Sequence, residues 1–194
     1  MSITCNLNEE KPMAKQDIHY TTYMQQTLEV LSHGGALLVS ADKAGHANIM
    51  TIGWGTVGWI WGKPIFCVLV RPSRFTYELL EQNGEFTVNV PSRDLAEAVA
   101  YCGTVSGRNY DKFAEKNLTA RASRHVHPPI IAECVVHYEC RVVQKNAVIP
   151  QTLSSEIAQS AYRNGDHHTM YYGEILAAYG DTDALARLTQ VSLR

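Results

Sequence analysis

The 194-residue sequence has no long hydrophobic run; its longest unbroken apolar stretch is Ile65–Val70, against the roughly 20 residues an α-helix needs to cross a bilayer. A membrane-spanning helix is excluded on that ground. A basic run is missing as well, with 17 Lys and Arg against 19 Asp and Glu and a formal net charge of −2. Coating nucleic acid or anionic lipid takes clustered cations, so neither is an expected partner. The five cysteines (Cys5, Cys67, Cys102, Cys134, Cys140) contain no CxxC pair. Their odd number excludes a fully paired disulfide framework and predicts reduced thiols in the cytoplasm. Met1–Pro12 is polar and acidic, unlike a secretory signal. With no repeat, low-complexity tract or Gly/Ser linker, residues 1–194 are expected to form one domain with a core from about Leu31 to Tyr179.

Apolar residues make up 45% of the chain, enough for a substantial core. Ala36–Ala41 and Ala47–Gly53 read as strands of a hairpin around a turn at Asp42–Gly45. Pro64–Val70 is a continuous β-forming run, the pattern of a strand buried on both faces. Ser73–Gln82 reads as a helix with Phe75, Leu79 and Leu80 on one side, Ser73 as N-cap and Asn83-Gly84 as stop. In Glu85–Val90 the apolar Phe86, Val88 and Val90 alternate with Glu85, Thr87 and Asn89, which predicts a half-buried strand. A second helix is expected from Arg93 to Cys102, capped by Ser92 and closed by Gly103. Ala132–Val143 and Tyr171–Tyr179 read as strands, with a helix at Ser154–Arg163 between them. Six or so strands without βαβ alternation favour an α+β, barrel-centred fold with peripheral helices over a doubly wound parallel sheet.

Several segments carry chemical suggestions. Gly53–Gly58 (GWGTVG) matches GxGxxG, but a dinucleotide fingerprint needs a helix opening at the third glycine. Here the chain runs on into a strand, so the Rossmann reading is rejected. Arg71–Tyr77 (RPSRFTY) joins a buried strand to a helix start and gathers Arg71, Ser73, Arg74 and Thr76 there. Guanidinium groups, hydroxyls and free helix N–H groups suit a phosphate, although solvated arginines and a plain cap would explain the same residues. Trp54, Trp59 and Trp61 either stack on an aromatic ligand or fill the core, the commoner use. Cys134, His137 and Cys140 have ligand-like chemistry, but in a strand His137 faces away from the two cysteines. Together with the missing CxxC knuckle, that argues against a metal.

Taken together, Asn48–Trp54 (NIMTIGW), Arg71–Tyr77, Glu85–Pro91 (EFTVNVP), Cys102-Gly103, Ser106–Phe113 (SGRNYDKF) and Gly165–Glu174 (GDHHTMYYGE) resemble the flavin reductase-like family, in its flavoredoxin-type branch. The resemblance runs from about Leu31 to Tyr179. It implies a split β-barrel of six or more mostly antiparallel strands that binds FMN at a homodimer interface. Carried over, Asn48, Met50, Thr51 and Trp54 would line the flavin. Arg71, Ser73, Arg74, Thr76 and Tyr77 would hold phosphate and ribityl chain, and Ser106, Gly107 and Lys112 would approach from the next loop. His168, six residues before Glu174, falls where the family places a histidine near the nicotinamide, with His167 as the alternative. Asn109 replaces an expected acidic residue, and Gly53 replaces a serine.

The implied activity is that of an oxidoreductase in which NAD(P)H reduces FMN and the flavin passes electrons on. Two alternatives stand beside it: a flavoredoxin-like electron carrier reduced by a redox protein partner, and a flavin-binding protein without turnover.

Overall fold

The computed structural model describes residues 15–189; Met1–Pro12 and Cys5 lie outside them. In chain order the elements are β1 (Lys15–Asp17), α1 (Met24–His33), β2 (Ala36–Ala41), β3 (Ala47–Ile52), β4 (Gly55–Ile60), β5 (Lys63–Val70), α2 (Phe75–Asn83), β6 (Glu85–Val90), α3 (Ala96–Thr104), α4 (Lys112–Glu115), β7 (Ala120–Arg121), β8 (Ile130–Ile131), β9 (Val136–Ala147), α5 (Ser155–Ala161), β10 (Thr169–Asp181) and α6 (Ala184–Thr189). Strands line up as β3-β2-β6-β9-β10-β5-β4, with β1 also paired to β10, and β7 and β8 form a separate ribbon. Every pairing is antiparallel. The sheet does not close, because β3 and β4 end the strand order. The barrel expected from the sequence is a split one.

Two apolar clusters hold it. The larger packs Leu38, Phe66, Val68, Phe86, Val88, Tyr138 and Tyr171 together. The smaller sets Leu37, Val39 and Ile49 against Val99 and Cys102 of α3 and against Leu118 and Ile131. β2 lies between them and is buried throughout. β6, expected to be half-buried, is also covered on both faces. Its polar side is roofed by the chain around β8: Thr87 donates to Pro129 O (2.8 Å), and Asn89 Oδ1 accepts from Ile131 N–H (3.0 Å). Alternation reports side-chain chemistry, and a hydrogen-bonded polar face can be as buried as an apolar one.

Helix starts and stops depart from the sequence reading in three places. Ser73 is not the cap of α2; Arg74 holds that position and makes no side-chain cap bond. Ser92 opens a short 3-10 turn at Arg93–Leu95 without capping it. Gly103 does not stop α3 but lies inside it, where a Cβ would be 3.3 Å from Cβ of Thr51. The glycine lets helix and strand approach closely. β9 begins later than expected, since Cys134 N–H turns back to Ile131 O (3.1 Å). It then runs on to Ala147 because β10 pairs with it that far. The strands β1, β4, β7 and β8 and the helices α1, α4 and α6 had no reading in the sequence. Gly84, at φ 67 with its N–H on Leu80 O, ends α2 as expected.

Candidate functional site

The GWGTVG segment builds β4 and a hairpin to β5. Trp61 (φ 54) and Gly62 (φ 72) make the left-handed turn between them. The tryptophans are not core residues: Trp54, Trp59 and Trp61 are 46%, 63% and 60% exposed. Among the described residues no three His, Cys, Asp or Glu are grouped to hold a metal ion. His137 is buried and bonded through Nδ1 to Asn89 Oδ1 at 2.8 Å.

Two cavities meet where β3, the start of α2 and the loop after α3 converge. One, of about 200 Å³, is lined by Met50, Thr51, Trp54, Arg71, Arg74 and His168, together with Ile52, Gly53 and Leu69. The other, of about 140 Å³, is lined by Asn48, Met50, Ser73, Arg74, Thr76, Ser106, Gly107 and Lys112, with Phe75, Cys102, Gly103, Val105 and Arg108. They share Met50 and Arg74, so they form one groove with an arginine at its waist. Of the residues proposed from the sequence, Tyr77 and the alternative His167 lie off this lining; the Tyr77 ring stands edge-on to Tyr171, 6.2 Å away.

The charges in the groove have distinct duties. Arg71 donates to the carbonyls of Ala161 (2.9 Å), Gly165 (3.4 Å) and Asp166 (2.8 Å) and lies over the Tyr162 ring. It fastens the chain that leads to His168. Arg108 pairs with Glu78, donates to Ser73 O (3.3 Å) and covers the Phe75 ring, which ties the 105–109 loop to α2. Lys112 is buried; its Nζ donates to Ile49 O and Cys102 O, both at 2.8 Å. Burial depresses its pKa, and one of its three N–H groups remains for a ligand. Arg74 makes no side-chain hydrogen bond or ion pair among the described residues. The free guanidinium therefore sits at the first turn of α2, where backbone N–H groups are left without intrahelical acceptors.

Asn48 donates to the Thr76 hydroxyl at 2.8 Å, linking β3 to α2. Ser106 accepts from Arg108 N–H at 3.3 Å and shapes the turn that Asn109 closes onto Ser106 O. His168 is buried, with Nδ1 2.8 Å from the Tyr162 hydroxyl and its ring 4.9 Å from Trp54. Burial first, and then the Arg71 charge, push its pKa down to about 4. His167 instead stacks on Tyr162, 4.7 Å away, and does not line the groove. Burial raises the Cys102 thiol above its ordinary value, which keeps it protonated.

Sequence reasoning missed Tyr162 and Asp166. Asp166 stands in the Gly165–Glu174 run, but nothing local names its partner at the start of α2, and Tyr162 lies outside every run singled out for its chemistry; Arg71 fastens the segment that carries both.

An open split barrel with an elongated, cation-rich groove at a helix start defines the class of this protein. The sequence profile described as "Flavin reductase like domain" matches residues 31–190. A protein of Archaeoglobus fulgidus is 34% identical over 135 residues, covering 69% of this chain and 66% of that protein. Among solved structures, flavoredoxin from Methanosarcina acetivorans superimposes with a TM-score of 0.62 at 30% identity, covering 77% of this chain and 69% of that one. Flavoredoxin of Desulfovibrio vulgaris (Miyazaki F) gives 0.62 at 26% identity, covering 77% and 70%. The chain belongs to the flavin reductase-like family, in its flavoredoxin-type branch.

Proposed function

We propose that the groove binds FMN and that the protein is an oxidoreductase reduced by NAD(P)H. The observation that carries this reading is Arg74: a guanidinium without a partner among the described residues, at the start of α2 between a cavity floored by β3 and one walled by Gly107 and Lys112. The phosphate belongs on Ser73, Arg74, the Thr76 end of the helix and the free N–H of Lys112. Ser106 and Gly107 flank the ribityl chain, and Asn48, Met50, Thr51 and Trp54 line the ring. When bound, FMN supplies the redox chemistry, taking a hydride and passing electrons on. The protein needs no nucleophile of its own. At neutral pH His168 is an uncharged imidazole beside the ring site, suited to orient a nicotinamide by hydrogen bonding without adding charge.

Similarity to two flavoredoxins supports a second reading, an electron carrier reduced by a protein partner. Anaerobic titration of the FMN-loaded protein with NADH and then NADPH separates the two. Stoichiometric bleaching of the visible flavin band establishes the reductase and its donor. A flavin that bleaches only with a reduced redox protein establishes the carrier, and one that no donor bleaches leaves a binding protein without turnover.

The expected partner is a second copy of the chain. Trp59 and Trp61 stand exposed on and beside the edge strand β4, an arrangement that favours burial against another subunit. The unpaired thiols Cys67, Cys102, Cys134 and Cys140 suit a reducing compartment such as the cytoplasm.

A further inference from the structure

The chain from Ala161 to His168 crosses the start of α2 and is fastened there by polar contacts. α5, just before it, contributes no buried residue. Arg71 holds three of its carbonyls, and Tyr162 bonds His168. A further fastening, besides the Val148 N–H that donates to His168 O at 2.9 Å, is an anion. The Asp166 carboxylate accepts from the Ser73 hydroxyl at 2.6 Å and from the Ser73 N–H at 3.3 Å. Asp166 reaches it at φ 53, directly after Gly165 at φ 75, a left-handed conformation that costs a non-glycine residue free energy.

Ser73 offers two donors, one O–H and one N–H, and Asp166 takes both. A phosphate drawn to the same helix start cannot use them until the carboxylate leaves, and the two anions repel if both stay. We propose that Asp166 is a specificity-determining residue of the phosphate subsite: its carboxylate occupies Ser73 until a phosphate monoester displaces it. This rests on the reading of Arg71–Tyr77 as the phosphate cradle. Binding a phosphorylated flavin then carries the cost of an existing charge-assisted contact. Riboflavin has no phosphate and leaves the carboxylate where it is. Displacement removes one fastening of the segment bearing Tyr162 and His168, while the Arg71 contacts still hold it.

The test is equilibrium titration of the full chain with FMN and with riboflavin, for the wild type and for Asp166→Asn and Asp166→Gly. Both replacements tolerate the left-handed backbone. Loss of a competing charge-assisted contact is expected to tighten FMN by about tenfold, while riboflavin stays within about twofold of the wild type. FMN affinity that is unchanged or weaker in both variants overturns the proposal, as does equal tightening of both flavins. A wild type that binds neither flavin overturns the cradle itself, and the role of Asp166 with it. A wild type that binds FMN, with variants that do not separate the two flavins, overturns the role of Asp166 alone.

Discussion

Asn48 and Gly107 pack so closely that a Cβ on Gly107 would stand 1.8 Å from Oδ1 of the asparagine. The same Asn48 amide donates to Thr76 at 2.8 Å, so one contact locks β3, α2 and the loop after α3 around the narrow end of the groove. Even one added methyl must push the amide off Thr76 or lift the loop. Overpacking of this kind costs about 1–3 kcal/mol. Gly107→Ala is expected to weaken FMN binding by about tenfold for each 1.4 kcal/mol that falls on the bound state. Flavin titration together with a urea midpoint separates a groove effect from a general loss of stability; unchanged affinity removes the contact from the site.

The two arginines of the RPSR segment look equivalent in sequence and differ in what they hold. Arg74→Ala removes the guanidinium that has no partner among the described residues and is expected to cost FMN about tenfold to a hundredfold in affinity while sparing riboflavin. Arg71→Ala instead releases the carbonyls of Ala161, Gly165 and Asp166, so it should affect both flavins. It also removes a cation that holds the His168 pKa down. NMR titration of His168 in Arg71→Ala should therefore show a raised pKa. No change would mean that the charge of Arg71 is not felt at the imidazole.

Much of this frame was legible because one-dimensional patterns map onto it. Ala36–Ala41, Pro64–Val70 and Glu85–Val90 show strand periodicity or strand composition, and all three are strands. α1 was not legible: Thr27 and Leu31 are its buried residues, and its N-cap Tyr23 makes no side-chain cap bond. Its place is set by tertiary contact, including Thr27 Oγ1 3.0 Å from the Tyr138 hydroxyl. The same limit applies within the groove. Ser73 reads as a helix cap, yet its hydroxyl is taken by Asp166, 93 positions away, and no local rule announces so distant a partner.

The buried His168 makes stability depend on pH in a defined direction. Its pKa is about 4 when folded against an ordinary 6.5, so between those values the unfolded chain binds the extra proton. The contribution of neutral His168 is complete above about 6.5 and is lost as pH falls toward about 4. Urea midpoints of the wild type and His168→Gln are compared across that window. The wild type should lose more stability on acidification, and parallel curves would refute the assignment.

Lys112 couples stability to the site. Its Nζ satisfies the carbonyls of Ile49 and Cys102, and leaving a buried acceptor unpaired costs about 1–3 kcal/mol. Lys112→Met should lower stability by about that amount and weaken FMN more than riboflavin. A variant with full stability and unaltered selectivity would show that water replaces the ammonium and that phosphate never meets it.

The exposed indoles give the last prediction. Trp59 and Trp61 are 63% and 60% exposed, each with one aromatic neighbour, Tyr20 at 6.4 Å and Tyr172 at 5.7 Å. Neither packs into the core, so replacing both by alanine should cost the folded monomer little. If these side chains are buried between two copies, as interface aromatics commonly are, the double variant should sediment as a monomer at concentrations where the wild type is a dimer. The groove opens beside Trp54, which β4 follows by one residue. Loss of the dimer should therefore weaken flavin binding as well. A double variant that remains dimeric places the interface elsewhere, and a monomeric variant with full flavin affinity shows that one subunit completes the site.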